Sequence, residues 1–132
     1  MSPILRKHFR RELMAGSAYP SSDPVASWKA LERAHILSQA HPLQHIQVHW
    51  AMLLFALRSR NISEAVGQII RLLLAGPASL LGRAPLGNTG GADVGLWQTL
   101  PVPTELKELL DADETYWKEL NAQKEEEPPE VR

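Results

Sequence analysis

Four of the chain's five histidines lie between His35 and His49, and carboxylates and amides recur around them at helical spacing. At about 100° per residue, Trp28, Glu32, His35 and Gln39 share a narrow sector of one helix. His45 and His49, four apart, stack on one face of the next. Glu64, Gln68 and Arg71 make a polar line on a third, at spacings of four and three. Neutral imidazole and carboxylate both ligate divalent zinc, iron, manganese or copper, and spacings of three and four let two ligands on one helix reach one centre. Three imidazoles and one or two carboxylates meeting between helices therefore read as a metal site. Glu32, His35, His45 and His49 are its candidate ligands, with Glu64 as an alternative from the neighbouring helix. Gln39, Gln68 and Arg71 are expected around them, orienting the ligands by hydrogen bonds. The loop carrying Asn88 and Thr89 is expected to lie beside the site.

Familiar metal motifs fit only in part. Glu32-x-x-His35 is the element that ferritin-type bundles use twice, and the chain holds one copy. His45-x-x-x-His49 has the spacing of the metalloprotease pair, but Ile46 stands where the glutamate base belongs. Two other readings compete. In the first, Glu32 with Arg71 and His35 with Glu64 form a structural hydrogen-bond network, since buried polar groups need partners. The protein would then be a non-enzymatic adaptor, its partner bound by the basic first helix or by an apolar strap. In the second, Glu32 and a histidine act as acid and base without a metal. His41, before a proline, and His8, among basic residues, read as exposed.

The elements that must position these residues are helices. A length of 132 residues implies one domain and allows one real core. The absence of cysteine excludes disulfides, thiolate metal sites and a cysteine nucleophile. A net charge of −1 favours neither nucleic acid nor an anionic membrane. The start is basic, from Arg6 to Arg11, yet no apolar run follows to make a secretory signal. The apolar region Ile69 to Leu81, broken by Arg71 and Gly76-Pro77, is too short to span a bilayer. A soluble, cytoplasmic protein is expected.

Ser2-Pro3 and Asp23-Pro24 are cap-plus-proline starts for two helices, the first to Gly16 and the second from about Pro24 to Ala40. A third is expected from near Leu43 to about Arg58, with Ile46, Trp50, Leu53, Leu54 and Leu57 as its apolar stripe and the two histidines at the stripe's edge. Asn61 or Ser63 caps a fourth, which should stop at Leu74 or Ala75 before Gly76-Pro77. Gly82 to Pro103 is rich in glycine and proline but carries Leu86, Val94, Leu96, Trp97, Leu100 and Val102. It reads as an ordered strap lying on the helices. Thr104 and Asp111 each have capping chemistry, so two short helices should follow. The expected architecture is all-α: a compact bundle of four to five helices wrapped by a strap at 82–103, one domain over 1–123, and a disordered acidic tail at 124–132. No second copy appears at the tetratricopeptide period, Asn88-Thr89-Gly90-Gly91 lacks the ending of a phosphate loop, and no serine sits in a nucleophile motif.

The segments Leu31 to Gln39, His45 with His49, Gly67-Gln68 with Arg71-Leu72, and Pro85 to Gly90 together resemble a small bacterial family, domain of unknown function 3703, over about residues 25 to 110. The resemblance implies no activity and supplies no catalytic residues. Its segments coincide with the polar positions named above.

Overall fold

In a computed structural model, the described residues are 1–18 and 22–126, leaving aside the side chains at 75, 76 and 126. They form helices and turns without a strand. The helices are α1 (Pro3–Ser17), α2 (Pro24–Ser38), α3 (Pro42–Arg58), α4 (Ile62–Leu80) and α5 (Thr104–Glu126). The first starts follow the local chemistry. Ser2 Oγ accepts from Leu5 N at 3.3 Å, and Asp23 Oδ1 accepts from Ala26 N at 2.9 Å, each just before a proline at the first helical position. Asn61 Oδ1 caps α4 through Glu64 N at 3.0 Å. The turn between α2 and α3 is only three residues long, so the two helices are packed neighbours.

α3 is the central element. It packs against α1, α2 and α4, while α5 lies on α1 and α2. One apolar cluster, Phe9, Leu31, Ala34, Val48 and Met52, joins α1, α2 and α3. A second, Leu5, Ile36, Leu37 and Leu106, brings in α5. A third, Leu53, Ala56 and Ala65, joins α3 to α4. Each fully buried leucine here contributes roughly 1.5–3 kcal/mol. Asp113 ties α5 down by accepting from Ser2 N at 2.5 Å, and its other oxygen meets His41 Nε2 at 3.1 Å. His41 is thus mostly buried and paired, not exposed as its turn position suggested.

Three sequence expectations change. The stripe assigned to the core of α3 faces mostly outward: Trp50 is 55% exposed, Ile46 and Leu57 are exposed too, and only Leu53 of the five is buried. The buried face carries His45, Val48, His49, Met52, Leu53 and Ala56. Neighbours on α4 and α2, with a smaller share from α1, decide which face is covered, and hydrogen bonds make the two imidazoles compatible with it. Second, α4 runs through Pro77 to Leu80. The proline removes one backbone donor, and the extra turn places Ser79 in a buried hydrogen-bonded position. Third, Thr104 to Glu126 is one helix, with Asp111 inside it and paired to Lys107 one turn back. The expected tail therefore begins as helix at 124–126, and its remainder, 127–132, lies outside the described residues, as do residues 19–21 of the expected connection between the first two helices. No helix among the described residues is long and apolar enough to cross a membrane. The outer face of α4 leaves Ile62, Val66, Ile69, Ile70 and Leu73 exposed.

Between α4 and α5, residues 81–103 run in turns. Gln39, just past α2, holds them: its Nε2 donates to Pro85 O and Asn88 O, and its Oε1 accepts from Gly87 N. The Asn88 side chain donates to Gly95 O and Gln98 O and accepts from Gly90 N, which folds the segment on itself. Gly90 has φ +85°, and a Cβ there would lie 2.6 Å from the His35 ring. Only glycine allows the backbone so near.

Candidate metal centre

His35 projects from α2, and His45 and His49 from adjacent turns of α3, into one buried space. Their Nε2 atoms form a triangle. His35 to His45 is 2.9 Å, His35 to His49 is 3.1 Å, and His45 to His49 is 3.2 Å. Among the described residues, these three offer ligand atoms within 4.8 Å of one another, a grouping that could hold a metal ion.

Each ring turns its other nitrogen to a different acceptor. His35 Nδ1 meets Asn88 O at 2.7 Å, and a carbonyl can only accept, so this nitrogen carries the proton. His49 Nδ1 meets Gln68 Oε1 at 2.7 Å. The Gln68 amide is oriented by its own nitrogen, which faces Glu64 Oε1 at 2.6 Å and Gly90 O at 2.8 Å. Its oxygen must therefore be the end toward His49, and His49 Nδ1 is a donor. His45 Nδ1 meets Ser79 Oγ at 2.6 Å, and that hydroxyl spends its one hydrogen on Gln39 O at 2.8 Å. Ser79 can then only accept, and His45 Nδ1 donates. All three neutral rings thus share one tautomer, with a bare lone pair on Nε2.

Burial holds the rings neutral. It pushes His35 well below the usual histidine range, His45 down to about 3 and His49 down to about 4. His45 is lowered further by His49, and His49 by Arg71, against the opposing effect of its bond to Gln68. A neutral ring protonated at Nδ1 has no proton to share between the Nε2 atoms. Their 2.9–3.2 Å separations are at hydrogen-bond distance, but they bring together three acceptors and no donor.

The two carboxylates expected as ligands are engaged elsewhere. Glu32 Oε1 accepts from Trp28 Nε1 at 3.1 Å, four residues back on the same helix. Burial raises its pKa, against the effect of the tryptophan bond. Glu64 accepts from Ala92 N on both oxygens, at 3.0 and 2.9 Å, and from Gln68. It supports His49 through the amide and is not part of the triangle. Of the residues expected around the ligands, Gln68 touches one directly and Gln39 holds the loop that carries Asn88. Arg71 donates to Val94 O. Asn88 acts on His35 through its backbone carbonyl, and Thr89 is half-buried beside it. The pairs Glu32–Arg71 and His35–Glu64 do not form: each partner is bonded as just described. Ser79 escapes the sequence reading, because its position beyond Gly76-Pro77 reads as outside α4.

A cavity of about 40 Å³ adjoins the triangle, lined by the three histidines, Arg71, Leu74, Ala78, Pro85, Asn88, Leu96 and Trp97. The three imidazoles therefore meet a small space that is apolar except for Arg71 and Asn88.

No curated protein and no solved structure matches the chain. A family described as "Protein of unknown function (DUF3703)" matches residues 4–110, most of the chain's length, and includes every residue of the triangle and its supports. The chain belongs to that family.

Proposed function

We propose that this protein binds a divalent transition-metal ion through Nε2 of His35, His45 and His49, with coordination positions left open toward the adjoining cavity. The observation that carries this reading is the triangle of Nε2 atoms at 2.9–3.2 Å; the acceptors facing each Nδ1 assign the protons there and leave the three Nε2 lone pairs without a donor. A purely structural network would pair each acceptor with a donor. Converging acceptors instead suit a cation. An ion at the usual ~2.0–2.1 Å from each nitrogen would stand about 1 Å off the plane of the triangle, with its remaining positions on one side.

The all-imidazole ligand set favours zinc, iron or copper over manganese, which prefers oxygen. Neutral ligands leave the ion's double charge intact, so it would act as a strong Lewis acid on whatever fills the open positions. Gln68, Ser79 and the Asn88 carbonyl supply the outer hydrogen bonds that hold ligating imidazoles in place. In this reading the 82–103 segment is a strap that closes the site over a five-helix bundle.

The test is elemental analysis of protein purified without an affinity tag, followed by titration of metal-free protein with zinc and cobalt. One ion per chain is expected, with a rise in melting temperature, since a ligand bound only by the folded state at a hundred times its Kd adds about 2.7 kcal/mol. His49→Ala should abolish both. Protein that takes up neither ion, or binds it equally well without His49, overturns the reading.

A further inference from the structure

Arg71 is 7% exposed and lines the same cavity as the three imidazoles. The one hydrogen bond of its side chain among the described residues goes from Nη2 to a backbone carbonyl, Val94 O. Ion pairs within 4.0 Å join other residues, and none among the described residues includes Arg71. Glu64 and Asp93 act on it only at longer range, and burial lowers its pKa. A guanidinium has five N–H donors in a planar fork and stays charged in proteins. Burying one without an ion partner is unfavourable. Placing it beside a site for a doubly charged cation compounds the difficulty, because the two positive charges repel. Arg71 already disfavours charge on His35 and His49, after burial and, for His35, the neighbouring imidazoles. Both problems have one solution, a negative charge held between them.

We propose that the open position of the metal site takes a small monoanion, bound to the ion at one end and to the Arg71 guanidinium at the other. This rests on the metal-binding reading and adds the ligand class. The cavity of about 40 Å³ is partly open, and its volume sets how much of the anion it can enclose. One water needs roughly 10–15 Å³ on this measure, so the space suits about three or four heavy atoms. Leu74, Ala78, Leu96 and Trp97 keep it apolar, which strengthens the attraction of both charges for an anion. Leu74, Leu96 and Trp97, the last 61% exposed, are the exposed hydrophobic residues of its lining and mark a route from solvent. Hydroxide, formate, bicarbonate and linear triatomic anions fit within it entirely.

The test uses the full chain loaded with cobalt(II), with azide as the probe, followed by visible spectroscopy. In the wild-type protein, azide should change the cobalt spectrum saturably. In Arg71→Gln, azide affinity should fall at least tenfold while cobalt affinity stays the same or rises, because a repelling cation has gone. A residue that merely supported the fold would lower both together. Should Arg71→Gln fail to fold, Arg71→Lys carries the test: it keeps the charge but loses the fork, and azide should bind severalfold more weakly than to the wild type. The proposal is overturned if cobalt binds but azide leaves its spectrum unchanged, or if azide binds the wild type and the folded variant equally. Protein that takes up no cobalt overturns the metal reading and this one with it.

Discussion

Gly90→Ala should damage the proposed metal site by pressing on His35, without replacing a ligand. A Cβ at Gly90 would lie 2.6 Å from His35 Cδ2, 2.8 Å from Cγ and 2.9 Å from Nε2. Ordinary carbon contacts are about 3.5 Å, so ring and loop together must retreat by about 1 Å. Ligand positions are tolerable only within about 0.2 Å. The ring is also held by its 2.7 Å bond to Asn88 O on the same loop, so a shift disturbs both. Backbone strain adds to this. A non-glycine residue at φ +85° costs about 1–2 kcal/mol. Together, strain and clash should lower stability by roughly 2–3 kcal/mol, a drop of several degrees in melting temperature for a chain of this size. Affinity for zinc, measured by competition with a chromophoric chelator, should fall by about tenfold to a hundredfold, the usual effect of disturbing a ligand's support. Gly82→Ala is the control. Gly82 has φ +63°, and a Cβ there would meet nothing within 4 Å, so this variant should show the strain alone, with zinc affinity intact. If both variants bind zinc like the wild type, the loop does not set the position of His35 and the reasoning fails.

Acid should unfold the metal-free protein early. His45 and His49 are held at about 3 and about 4 when folded, against 6.5 in the free residue, so above pH 6.5 they are neutral in both states and below it the unfolded chain alone takes up protons. Stability should therefore fall by about 3–4 kcal/mol between pH 7 and pH 5 from these two rings, read as a shift in the urea midpoint. A midpoint independent of pH over that range contradicts the burial argument. Glu32→Gln should leave metal stoichiometry and affinity unchanged, because Glu32 is bonded to Trp28; elemental analysis that shows metal lost would restore it as a ligand. Asp113→Ala should cost about 1–3 kcal/mol, since it strips Ser2 N and His41 of an acceptor, and thermal melts that coincide with the wild type would disprove that anchor.

The helices around the three histidines are readable because their starts are written in short-range chemistry. Ser2-Pro3, Asp23-Pro24 and Asn61 fix α1, α2 and α4 within a few residues of the chain, and the spacing of His45 and His49 sets them on one face whatever surrounds them. What lay between elements was harder. Glu32 shares a sector with His35, yet angular position does not reveal that Trp28 Nε1 claims the carboxylate first. The outward stripe on α3 shows the same limit, since Ile46 and Trp50 are as apolar as any core residue and burial depends on what packs there. Ser79 and the Asn88 carbonyl were hidden for another reason. One lies beyond a proline that ordinarily ends a helix, and the other acts through backbone, which side-chain patterns do not register.

The three imidazoles are far closer together along the chain than they are to the groups that support them. His35 and His49 are 14 positions apart, whereas Gln68 follows His49 by 19, Ser79 follows His45 by 34 and Asn88 follows His35 by 53. During synthesis all three imidazoles emerge before any of their acceptors exists. A short contour closes with little entropy loss, so on the proposed reading the whole ligand set lies within the α2–α3 hairpin, and α4 with the following turns later fixes the orientation of its rings.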